Sequence, residues 1–165
     1  MEGREPVPRR HPGAHGHRTV PHTADLRVEA WASTAGDCVA EAVRAAVESF
    51  ADPSGAAPVG EHVCEVAAGS AEDLLVSVLE EMIYRLDAYG EIPVHVEVDM
   101  DVTAGDADAG ADRTAAAGPV ASVRFRMADA GAAREVGAVP KAVSLHGLRL
   151  WHGPAGWTCR VTLDV

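Results

Sequence analysis

The sequence predicts an α+β fold in which two helices pack on mainly antiparallel sheet. Three observations lead there. Two stretches repeat their apolar residues every three or four positions, which is the helical period. Several other stretches alternate apolar and polar side chains or are short apolar runs, as strands do. Their order is strand, helix, strand, helix and then four strands, and such segregation disfavours a doubly wound parallel sheet.

Residues 1–18 hold three prolines, four arginines and three histidines but almost no bulky apolar side chain. Such a segment cannot offset its ordering entropy, so a mobile tail is expected, with His11, His15 and His17 solvated and a single domain over 19–165. Leu26, Val28 and Ala30 then alternate with Arg27, Glu29 and Trp31 as a strand. Val39, Val43, Val47 and Phe50 form a helical stripe that starts near Thr34 and stops at Asp52-Pro53. A short strand is expected over 61–67. Ser70 stands three residues before Asp73 and opens a second helix, whose stripe Leu75, Val78, Leu79, Met82 and Leu86 ends near Gly90. Alternation is clearest from Ile92 to Val102, where His95 falls on the polar face. The Ala, Gly and Asp of 103–118 suggest an exposed loop; Asp106, Asp108 and Asp112 lack the glutamate of a calcium loop. Val123, Phe125 and Met127 mark another strand, and 141–151 and 157–164 flank turn residues at 152–156.

The whole chain has 165 residues, with 14 basic against 25 acidic side chains and a net charge of −11. That balance disfavours a protein that grips phosphate backbones directly. No apolar run spans a bilayer and no secretory signal is evident, so no membrane role is expected. Cys38, Cys64 and Cys159 are too few and too scattered for a disulfide framework, which fits a reducing cytoplasm. Phosphate-cradling glycine loops, a nucleophile elbow and HExxH are missing, so a zinc hydrolase is not expected. With aromatics at 4%, no arginine–aromatic platform for stacking bases is expected either.

The remaining polar candidates sit at element ends. Asp25, in His22-Thr23-Ala24-Asp25, precedes the first strand, and Asp164-Val165 closes the last. Were those two strands antiparallel neighbours, Asp25, Asp164 and the terminal carboxylate of Val165 would cluster. Three hard oxygens so placed repel unless protonated or bridged by Ca²⁺, Mg²⁺ or Mn²⁺. Taken singly, each carboxylate reads as a turn or solvated acid. Lys141, the only lysine, and His146 are further candidates, for phosphate contact and proton transfer. A surface lysine and a half-buried histidine are the plainer readings.

Together these segments resemble the archease family. His22-Thr23-Ala24-Asp25 is similar to its HTAD motif, and Ala71-Glu72-Asp73-Leu74-Leu75 with Tyr84 to its second helix. Lys141-Ala142-Val143-Ser144-Leu145-His146 is similar to KAVTYH, and Trp157 through Asp164-Val165 to its terminal pattern. The resemblance implies a strand-helix-strand-strand unit and a protein that is not itself a catalyst. It implies an activator of an RtcB-type RNA ligase, which promotes guanylylation and repeated turnover in GTP- and Mn²⁺-dependent tRNA splicing or RNA repair. It further implies a metal site at Asp25, Asp164 and Val165, with Lys141, His22 and His146 meeting the partner or a phosphate. Contact with tRNA would be indirect, and no DNA is involved. A chaperone or specificity modulator of a tRNA methyltransferase is the alternative; a metal-dependent hydrolase, which lacks an evident nucleophile, ranks last. Leu145 and Ser144 depart from the family's aromatic and threonine, and the second helix lacks its usual Trp and Asn.

Overall fold

The structure is a computed structural model that describes residues 13–21, 25–102 and 118–165. The expectations for residues 1–12, for His22, Thr23 and Ala24, and for most of the 103–118 loop with its aspartates lie outside the described residues. The elements run β1 (Gly16–Pro21), β2 (Asp25–Ala32), α1 (Ala35–Glu48), β3 (Ala51–Asp52), β4 (Pro58–Ala67) and α2 (Ala71–Tyr89). They continue with β5 (Glu91–Asp101), β6 (Val120–Asp129), β7 (Arg134–Glu135), β8 (Ala142–Gly153) and β9 (Gly156–Asp164). A four-stranded sheet has the order β1-β2-β9-β8, a three-stranded sheet the order β4-β6-β5, and β3 with β7 makes a short ribbon. Every pairing is antiparallel. The expected α+β class is what the structure shows.

Local chemistry sets the helix ends. Thr34 caps α1 by accepting from the Asp37 N–H at 3.1 Å, and Ser70 caps α2 from the Asp73 N–H at 3.1 Å. Gly90 closes α2 in the left-handed conformation, with φ of 64°, which glycine adopts without a Cβ clash. Helix α1 touches β2 and β9 of one sheet and β5 of the other, so it is apolar almost all round. Its alanines keep the layers close. At Gly36 an added Cβ would stand 2.2 Å from the Val98 carbonyl oxygen of β5. The core is completed by Leu74, Leu75, Leu79 and Met82 of α2, Phe125 and Met127 of β6, and Val161 and Leu163 of β9.

Strand β1 corrects the expected tail. Residues 16–18 belong to the fold, and His17 is not a solvated tail histidine. Glu41 sits in the buried surface of α1, and a buried carboxylate needs partners. Its neighbour Arg44 supplies one and also donates to the Val96 carbonyl of β5 at 2.8 Å. His17 supplies another, with Nδ1 at 2.7 Å from Glu41 and Nε2 at 2.6 Å from Glu48. Composition hid this strand because ladder hydrogen bonds and one ion-paired ring hold it, not apolar mass.

Burial works to lower the His17 pKa, but the hydrogen bonds and charges of Glu41 and Glu48 outweigh it, and the ring lies above its ordinary 6.5. A raised folded pKa gives stability that is complete below the unfolded value and is lost as pH rises through the folded one. His17→Gln should therefore lower the urea midpoint clearly at about pH 6 and much less at about pH 9. Equal losses at both would show that the ring acts by packing alone. Gly36→Ala should cost about 1–3 kcal/mol in the same assay, because backbone, not a flexible side chain, opposes the new methyl.

Candidate functional site

The start of β2 and the end of β9 meet as the sequence suggested they could. Asp25 is the direct cross-strand partner of Asp164, and Asp164 is also the partner of Ala142 at the start of β8. Direct partners on antiparallel strands point to the same face, with Cβ atoms about 5 Å apart. Two carboxylates are thus brought together on the outer face of the four-stranded sheet, Asp25 half-buried and Asp164 exposed, with Val165 next in the chain. Like charges in that register repel. An all-oxygen donor set suits a hard divalent cation, so the chemistry of these residues fits the metal that the family resemblance implies.

Lys141 lies at the same corner. Its backbone N–H donates to the Asp164 carbonyl at 2.8 Å, fixing where the lysine leaves the sheet. It also lines a cavity of about 600 Å³ with Glu80, Tyr84 and Asp87 from the second half of α2. His146 is placed differently. Between Ser144 and Arg149 β8 advances five residues while β9 advances two, so Leu145 through Leu148 bulge from the ladder. Gly147, at φ of 71°, makes the turn, and the exposed His146 donates its backbone N–H to Ser144 Oγ at 3.3 Å. His146 therefore sits in the bulge that follows the three residues, Ala142 to Ser144, paired with β9 at its Asp164 end. His22 lies outside the described residues.

The same outer face carries groups that composition did not reveal. Alternation puts Arg18 of β1, Arg27, Glu29 and Trp31 of β2, Arg160 of β9, and Arg149 and Trp151 of β8 beside one another. Glu29 accepts from Arg18 Nε at 2.8 Å and from Arg160 Nε at 3.3 Å. Burial works to raise its carboxyl, and the two guanidiniums override it and hold it below the ordinary value. The Arg149 guanidinium lies 4.5 Å from the centre of the Trp151 ring. The low aromatic count pointed away from an arginine–aromatic face, yet two of the three tryptophans converge on one, because the 2-residue period of four strands adds up only across the sheet.

A second polar group lies on the other sheet. His62 and Cys64, two apart on β4, point to one face, and His62 Nε2 is 2.8 Å from Glu81 Oε1 on α2. The donor atoms of His62, Cys64 and Glu81 all lie within 4.8 Å of one another. Burial pushes the Cys64 thiol up, and Glu81 adds to it. The pair His62-Val63-Cys64 was legible in the sequence as two ligand types at strand spacing, and the sequence reading passed over it.

Residues 17–165 match the model of the Archease protein family. The chain belongs to the archease family. A Mycobacterium tuberculosis protein named "Probable protein archease" is 49% identical over 150 residues, covering 91% of this chain and 75% of that protein. The archease of Archaeoglobus fulgidus is 28% identical over 149 residues, 90% of this chain and 98% of that one. Two solved structures share the fold. The solution structure of Methanobacterium thermoautotrophicum protein 1598 has a TM-score of 0.70 at 19% identity, over 91% of this chain and 99% of that one. The crystal structure of a Thermotoga maritima protein described as an archease, possible chaperone, has a TM-score of 0.57 at 17% identity, over 90% and 96%. The motif residues of this archease also act structurally. Glu72 at the start of α2 accepts the Leu150 N–H of β8 at 3.1 Å, tying helix to sheet. Leu145, at the family's aromatic position, is exposed on the bulge.

Asp25→Asn tests the electrostatics of the edge. In chelator and low salt it should raise stability by about 0.2–1 kcal/mol, as relief of a like-charge cross-strand pair does. Added Ca²⁺ or Mn²⁺ should raise the thermal midpoint of the unsubstituted protein and leave that of Asp25→Asn unchanged.

Proposed function

We propose that this archease is an accessory protein of an RtcB-type RNA ligase, promoting its guanylylation and repeated turnover in tRNA splicing or RNA repair. The observation that carries the reading is the three-strand corner where Asp25, Asp164 and Lys141 meet, drawn from motifs at both ends of the chain. In this reading Asp25, Asp164 and Val165 hold a divalent ion, Ca²⁺, Mg²⁺ or Mn²⁺. Such an ion supplies neutralisation of the carboxylates and a positive centre for a nucleotide phosphate. Lys141 adds a compact cation beside the edge, and Tyr84 shares its cavity. His146 contributes to the partner surface from the β8 bulge, and the family motif assigns His22 to the same surface.

The arginine–tryptophan face supports a large partner. Its guanidiniums offer bidentate contacts to acidic groups or phosphates next to an acidic, metal-bearing corner. An accessory protein works by binding one ligase state more tightly than another, so it needs no nucleophile of its own. Among the described residues no helix is long and apolar enough to cross a membrane. The alternative of a methyltransferase chaperone draws support from the description of the Thermotoga protein as a possible chaperone.

Guanylylation of the cognate ligase separates the two. Asp25→Ala and Asp164→Ala should each slow activation about tenfold or more, the size expected when a metal site loses a determinant. Lys141→Ala should weaken it with the fold intact. Activation at the unsubstituted level by both aspartate variants would remove the corner from the mechanism, and unchanged ligase turnover with tight methyltransferase binding would favour the alternative.

A further inference from the structure

We infer that His62, Cys64 and Glu81 form a binding site for a borderline transition-metal dication of the Zn²⁺ class, which fastens β4 to α2. The site rests on residues away from the Asp25–Asp164 corner and is independent of the ligase reading.

Strand alternation aims His62 and Cys64 at the same side as Val66, where their partners on β6 are Phe125, Val123 and Ala121. Those partners are buried, so an apolar residue at 62 or 64 would simply extend the core. Instead the strand presents an imidazole and a thiol, and α2 presents a carboxylate one residue before the buried Met82. The three donors are nitrogen, sulfur and oxygen from two consecutive elements, β4 and α2. Tetrahedral Zn²⁺ with bonds near 2.0–2.3 Å needs donor atoms roughly 3.3–3.7 Å apart. Separations within 4.8 Å allow that with rotamer-scale movement. The His62–Glu81 hydrogen bond of 2.8 Å already holds two of the ligands face to face. On binding, the Cys64 thiol gives up its proton to solvent, and the neutral His62 imidazole coordinates through one ring nitrogen while the other carries the N–H.

Chemistry selects the metal. A thiolate and an imidazole favour Zn²⁺, Co²⁺ and similar ions over Ca²⁺ or Mg²⁺, which seek oxygen. An ordinary His–Glu ion pair accounts for two of the groups but not for a cysteine within reach of both. The side chains of His62 and Glu81 are 23% and 28% exposed, so the ion would exchange with solvent and keep a position for water or an exogenous donor.

Co²⁺ titration of the full reduced chain tests this. One equivalent should give a thiolate-to-cobalt charge-transfer band in the near ultraviolet, together with the intense visible bands of four-coordinate cobalt, and Zn²⁺ should bleach both. Cys64→Ser, a one-atom change, should abolish the charge-transfer band. Glu81→Gln, on the helix rim, should weaken Co²⁺ binding about tenfold or more. Paired substitution of Asp25 and Asp164 by Asn should leave the band intact. Absence of the band, its survival in Cys64→Ser, or its loss in the Asp25/Asp164 variant would each overturn the site. Circular dichroism checks that the variants fold.

Discussion

The pairing of β2 with β9 is the constraint on which the rest of the molecule depends. It joins the first third of the chain to its end and places Asp25 opposite Asp164. Seen from the core, the same ladder sets Val28 against Val161 and Ala30 against Cys159, supplying the floor on which α1 lies. A slip of β9 by one residue would turn Leu163 and Val161 to solvent and Asp164 inward, away from Asp25. Burial of the apolar face therefore enforces the register of the polar one. Stability and the candidate metal edge are consequences of a single pairing, and neither can drift without the other.

Helix α1 shows how tightly this floor is held. A helix touching both sheets can carry little side-chain volume, which explains its run of alanines and Gly36 against the Val98 carbonyl. Small side chains leave little apolar area per residue, so the polar exceptions matter. Glu41 is one, and it is tolerated because Arg44 and His17 meet it from two directions. Strand β1 thus completes the electrostatics of a buried helix while adding an edge to the sheet.

How much of this was legible in the sequence follows from the range of each signal. Local signals read correctly. Thr34, Ser70 and Gly90 marked helix ends because caps are satisfied within a few residues. β5 was visible because one face is buried along its length, even with a bulge after Pro93. Signals that arise only on assembly did not read. β1 is poor in apolar residues, and β3 and β7 have two residues each, too few for any period to register. The corner of Asp25, Asp164 and Lys141 was reachable from the chain ends and the family motifs together. The bulge in which His146 sits was not, since it depends on a register shift against β9.

The two polar groups on opposite sheets differ in a way that clarifies both. At the edge of the four-stranded sheet the donors are carboxylates in open register, where a hard cation can be shared with another molecule. Between β4 and α2 the donors are mixed and half-buried, directed at one another, and walled on one side by Phe125, whose ring centre is 6.4 Å from that of His62. A site that presents its ligands outward suits exchange with a partner; one that turns them inward suits fastening a helix to a strand. The charge of −11 serves the first purpose rather than the second. Where the outer β1-β2-β9-β8 face carries Arg18, Arg27, Arg149 and Arg160, it leaves an acidic corner beside a cationic field. Electrostatic complementarity of that kind orients a partner before contact. Under the proposed function, the outer face of the β1-β2-β9-β8 sheet is the side from which a large partner would be met, whereas His62, Cys64 and Glu81 lie between β4 and α2.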